Sequence, residues 1–148
     1  MTETSASTAR QVAATSYASA VVIDLPFSRA VEAVRAALAD QGFGVLTEID
    51  VTATMKAKID ESVEDYVILG ACNPTLAYAA LEVDRAIGVM LPCNIVIRST
   101  SAGTLVQTLD PHTMVALTGA VALGPIADEA ADRLKAMLAA LGTTRTPD

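Results

Sequence analysis

The hydrophobic positions of this chain fall into short β-like runs that alternate with stretches of helical period. Between Tyr17 and Leu25, the run Ala20-Val21-Val22-Ile23 predicts a strand, and Pro26 ends it. Ser28 then offers a helix cap. Val31, Val34 and Leu38 share one face of a helix over Arg29 to Gln41, with Gly42 as its left-handed stop. Phe43 to Ile49 returns to strand character. Asp50 caps a second helix on which Val51, Met55 and Ile59 recur every four residues.

The run Asp65 to Cys72 is apolar and β-leaning, which fits a central strand. Asn73-Pro74 supplies an N-cap and a first-turn proline for a third helix, ending near Arg85. Leu91 to Ser99 reads as a strand opened by Pro92, whose pleat puts Cys93, Ile95 and Ile97 on one face. Ser101-Ala102-Gly103 turns the chain into a hairpin partner over Thr104 to Leu109. The stretch Asp110 to Gly124 gives no clear element. Pro125 begins a final helix with Ile126, Ala130, Leu134, Leu138 and Leu141 as its stripe, closed by Gly142.

The order β-α-β-α-β-α-β-β-α predicts an α/β (α+β) domain. It is expected to be a two-layer sandwich in which a mixed sheet of about five strands, built from crossovers and one hairpin, is backed by helices. The chain of 148 residues suits one such domain, taken as residues 16–142, with a flexible N-terminal tail (1–15) and a short C-terminal tail (143–148). Hydrophobic residues are 52% of the total, but 28 alanines inflate that figure. With no Trp, two Phe and three Tyr, the core must rest on Val, Ile, Leu and Met.

Charge narrows the partners. Ten basic residues against seventeen acidic ones give −7, and the basic ones are scattered, so neither nucleic acid nor an anionic membrane surface is an expected partner. The longest apolar stretch, around Met114 to Gly124, is far short of the ~20 residues of a membrane span. The first twenty residues lack a basic leader and an apolar segment. The expected location is therefore the cytoplasm, where both cysteines stay reduced.

Chemistry concentrates in two segments, Gly70-Ala71-Cys72-Asn73-Pro74 and Leu91-Pro92-Cys93-Asn94. Cys72 stands just before a helix N-terminus, where the dipole favours an anion and lowers a thiol's pKa. Against that stands the ordinary reading, in which both cysteines are small buried hydrophobes.

These blocks also carry a resemblance. Together with Gly42-Phe43-Gly44-Val45-Leu46-Thr47-Glu48-Ile49-Asp50-Val51, Tyr66-Val67-Ile68-Leu69, Gly88-Val89-Met90 and Asp110-Pro111, they resemble the successive blocks of the Domain-of-Unknown-Function 302 family, over about Tyr17 to Leu141. The resemblance implies a compact α/β domain described as similar to the TATA-binding-protein fold, commonly homodimeric, with no established activity. It carries over Cys72, Asn73, Pro74, Pro92, Cys93 and Asn94, but not His112.

Three readings follow. In the first, Cys72 is a reactive thiol that forms a disulfide, persulfide or adduct with Cys93 as resolving partner. Asn73 and Asn94 would then hydrogen-bond a small sulfur-containing or anionic ligand. In the second, the two thiolates and a third ligand from His112, Met114 or Met90 hold Cu(I) or Zn(II), although Cys-x20-Cys lacks paired zinc knuckles. In the third, the domain is an interaction module with structural cysteines, and a pocket lined by Tyr66, Met90 and Met114 takes an apolar ligand. No GxSxG, Walker loop or GxGxxG is present, and Gly42-Phe43-Gly44 precedes a strand. The acidic group Asp60, Glu61, Glu64 and Asp65 suits Ca²⁺ or Mg²⁺ only as an alternative to a solvated turn.

Overall fold

A computed structural model describes residues 9–11 and 15–142. One sheet contains β1 (Ala9–Gln11), β2 (Ala18–Ile23), β3 (Gly44–Asp50), β4 (Tyr66–Cys72), β5 (Cys93–Thr100) and β6 (Gly103–Leu109), in the order β1-β2-β6-β5-β4-β3. The helices are α1 (Phe27–Asp40), α2 (Val51–Ile59), α3 (Pro74–Val83), α4 (His112–Thr118) and α5 (Gly124–Gly142), with 3₁₀ turns at Arg85–Met90 and Val121–Leu123. The α/β class and the helix-backed sheet match expectation.

The sheet itself is antiparallel at every pairing, which corrects the expected mixture of pair types. β2 and β3 do run in the same direction through the α1 crossover, but β6, β5 and β4 lie between them. The other two connections, through α2 and α3, join hydrogen-bonded neighbours and so reverse the chain. A sixth strand comes from Ala9–Gln11, within the stretch expected to be a tail, and it pairs with Val21–Ile23. The remaining tail residues (1–8, 12–14 and 143–148) lie outside the described residues.

Alternation in the central strands sets the core. Val67, Leu69 and Ala71 of β4 and Ile95 and Ile97 of β5 point to one face, where α1 lays Val34 and Leu38 and α5 lays Leu134, Met137, Leu138 and Leu141. α1 begins one residue before Ser28, because Pro26 already provides the first carbonyl, to Ala30 N at 2.9 Å. Gly42 takes φ +82°, so the left-handed stop is confirmed. Asp50 caps α2 through Ala53 N at 2.9 Å, yet no residue of α2 is buried and Ile59 is exposed. α2 is tied down by polar contacts, since Thr52 Oγ1 donates to the Glu64 carbonyl and accepts from Tyr66 N.

A second, smaller core sits at the end of the sheet where β4 stops and β5 starts. It joins Ala80 of α3, Ile87 of the first 3₁₀ turn, Met114 of α4 and Leu123. The segment Asp110 to Gly124, for which the sequence predicts no element, thus supplies half of a core.

Candidate functional site

The two cysteine blocks meet at that sheet end. Cys72 is the last residue of β4, Cys93 the first of β5, and the β4–β5 register sets Ala71 opposite Cys93. Asn73 then caps α3, its Oδ1 accepting from Leu76 N at 3.2 Å, and Pro74 occupies the first turn. Gly42 packs against this corner: a Cβ there would lie 3.1 Å from Asn73 Nδ2. Both cysteines line a cavity of about 30 Å³, together with Phe43 from the α1–β3 connection, Leu76 of α3, Leu91 and Pro92 from the loop, and Met114 and Ile126 from α4 and α5. Its wall is almost entirely apolar, and the volume suits one water or one ion.

The electrostatics run against an activated thiol. Burial raises the pKa of Cys72 above its ordinary 9.0, and burial, helped by the neighbouring Cys72 thiolate, pushes Cys93 up to about 11. The position of Cys72 before a helix is as expected, but the cap itself is Asn73, whose side-chain Oδ1 accepts from the free Leu76 N–H, and Pro74 has no N–H to offer. Both cysteines are free thiols.

The remaining predicted residues divide between two faces of the sheet. Cys93 is buried against the helices, whereas Asn94 is exposed on the opposite face. Asn73 and Asn94 therefore do not converge on a shared anion. Asn94 and Met90 line an open groove of about 590 Å³ with Tyr17, Leu109 and Leu117. Tyr66 lies beside Asn94 and Tyr17 in an adjoining hollow of about 220 Å³. The expected pocket shared by Tyr66, Met90 and Met114 is thus corrected, because Met114 lines the cysteine cavity and the other two do not. Leu91 and Pro92 (joined by a cis peptide bond) border both the cavity and the groove. Periodicity gave no sign of that shared wall, which lies in a loop.

His112 does not join the cysteines. Its Nδ1 lies 2.9 Å from Asp110 Oδ1 and its Nε2 lies 2.7 Å from Asp128 Oδ1, so two carboxylates clasp the ring beside a different hollow. The hydrogen bond to Asp128, then that to Asp110, raises its pKa. Among the described residues, no group of three or more His, Cys, Asp or Glu side chains is placed to hold a metal ion, which removes Cys72, Cys93 and His112 as a ligand triad. In the acidic group, Asp60 pairs with Lys56 and Glu64 with Arg98, and all four residues are exposed, as in a solvated turn.

Residues 19–141 match the family described as domain of unknown function DUF302. The chain belongs to the DUF302 family. This DUF302 domain is also similar to the crystal structure of an uncharacterized conserved DUF302 protein from Bacillus stearothermophilus. The TM-score is 0.79 at 28% identity, over 84% of this chain and 98% of that one. The comparison with curated proteins gives no match. Among the described residues, no helix is long and apolar enough to cross a membrane.

Proposed function

We propose that this DUF302 domain binds a small, soft ligand at the Cys72–Cys93 pair and does not turn over a substrate. The observation that carries the reading is that both cysteines, from different strands, line one small apolar cavity. Metabolite pockets occupy ~300–1,000 Å³, so a cavity of about 30 Å³ suits an ion or a sulfur atom. The raised pKa values favour the neutral thiols near pH 7, which disfavours nucleophilic attack and restricts the ligand to one that binds sulfur strongly enough to displace the protons. The cytoplasm, where thiols stay reduced, is the setting this reading requires.

Native mass spectrometry of reduced protein, after exposure to zinc, cuprous ion or inorganic polysulfide, tests it. A mass increment is expected in the wild type and absent in both Cys72→Ser and Cys93→Ser. A bare mass after all three treatments overturns the reading. The homodimer implied by the family belongs to the same proposal, and sedimentation as a 15.3 kDa species at micromolar concentration would remove it.

A second reading has its own observation. The groove of about 590 Å³ has a metabolite's size, and none of its lining residues is charged, which suits a neutral, largely apolar ligand oriented by Asn94. Nile red fluorescence is expected to rise on binding and to fall back in Leu117→Asp. Equal signals from the two proteins would dismiss the groove.

A further inference from the structure

Resting on the sulfur-ligand reading above, we infer that the cavity is a site for one cuprous ion, held by the thiolates of Cys72 and Cys93 with the thioether of Met114 as third ligand. The three sulfur-bearing residues come from the end of β4, the start of β5 and the body of α4, so they reach the cavity from three separate elements. Met114 is 4% exposed and Cys93 8%, which commits both to the interior.

The donor set selects the metal. Thiolate and thioether sulfurs are soft and favour Cu(I), whereas zinc prefers four ligands drawn from thiolate, imidazole and carboxylate. No imidazole or carboxylate lines this cavity. The one polar side chain in the wall, Asn73, spends its oxygen on Leu76 N. The single histidine is held elsewhere by Asp110 and Asp128. Three-coordinate Cu(I) needs no water to complete its shell, and an apolar wall supplies none.

The binding step is a proton exchange without redox change. Two S–H bonds lose their protons to solvent, two Cu–thiolate bonds and one Cu–thioether bond to Met114 form, and copper enters and stays as Cu(I). The bound site carries one net negative charge.

The test is an anaerobic titration of the whole chain with cuprous ion competed against bicinchoninate. One copper per chain is expected, with two protons released. Cys72→Ser and Cys93→Ser should each lower affinity by at least about 100-fold. Met114→Leu, which nearly conserves volume, should lower it by about tenfold while leaving the urea midpoint close to wild type. X-ray absorption of the loaded protein should show a shell of sulfur alone.

If cuprous ion is not withdrawn from the competitor, the inference falls. A zinc or polysulfide adduct that depends on both cysteines would in that case leave the broader reading standing, whereas no adduct at all would remove both. Wild-type affinity in Met114→Leu, or nitrogen in the absorption shell, overturns the ligand assignment. Because Met114→Leu is a folded control for both thiol variants, loss of structure in a serine variant does not shield the inference.

Discussion

At the scale of single residues, the site is governed by what its neighbours have already taken. A cysteine before a helix is expected to be acidic, but here the cap's acceptor and the first-turn proline leave burial as the dominant influence on Cys72. Iodoacetamide labelling in the native state should therefore be slow near neutral pH and should accelerate only in the alkaline range, with Cys93 lagging toward its pKa of about 11. A labelling profile that levels off below the ordinary thiol pKa would contradict this.

Gly70 shows the same dependence on neighbours. A Cβ there would run into the Thr47 hydroxyl and lie 2.9 Å from Pro92 Cγ. Gly70→Ala should cost ~1–3 kcal/mol in urea unfolding by overpacking, with partial recovery when Thr47→Ala is added. His112 gives a pH signature instead. Its pKa is raised above the ordinary 6.5 in the folded protein, so its pairing with Asp128 and Asp110 stabilises fully below that value. The contribution is lost as pH rises through the folded pKa. Comparing urea midpoints of wild type and His112→Asn should show a gap at mildly acid pH that closes in alkali. A gap that widens with pH would refute the sign.

At the scale of elements, the local signals that proved legible were those with a mechanism confined to a few residues. Asp50 and Asn73 each cap the helix they precede, and Gly42 turns left-handed where α1 ends. Asn73→Ala should cost ~1 kcal/mol of stability and speed the labelling of Cys72, since the cap fixes the chain beside that thiol. Unchanged unfolding and unchanged labelling together would show that the cap does not hold the site.

The segment Asp110 to Gly124 was not legible for a physical reason. Its seven-residue helix α4 is too short to display a period, and its partners in the small core are brought in from α3 and the 3₁₀ turn. Met114 could thus be named as a sulfur ligand but not placed. The stripe on α2 misled in the other direction, because regular spacing of Val51, Met55 and Ile59 does not create a surface for them to cover.

At the scale of the whole molecule, periodicity identified most strands and helices, and the Ser101–Gly103 turn paired β5 with β6 as expected, but the rest of the sheet order was not legible. Strand order depends on which long-range pairs form. The sheet places β6 beside β2 and sends β3 to the far edge, and nothing local in either strand encodes that. The meeting of Cys72 with Cys93 was legible as an expectation because β4 and β5 are consecutive strands. The separation of Tyr66 and Asn94 from the cavity followed from which face each residue takes.

That strand order has a consequence for synthesis. β3, β4, β5 and β6 are consecutive in both sequence and space, so they can zip together in the order in which they leave the ribosome. β2 is made before all of them, yet Ile23 waits for Thr104 and Ala18 for Leu109. A nascent chain halted before β6 therefore holds β2 without its partner there, and the cysteine cavity lacks Met114. Protease protection of stalled chains should appear first in the later strands and reach β2 only once β6 has emerged, so that a strand synthesised before β3 to β6 is secured after them.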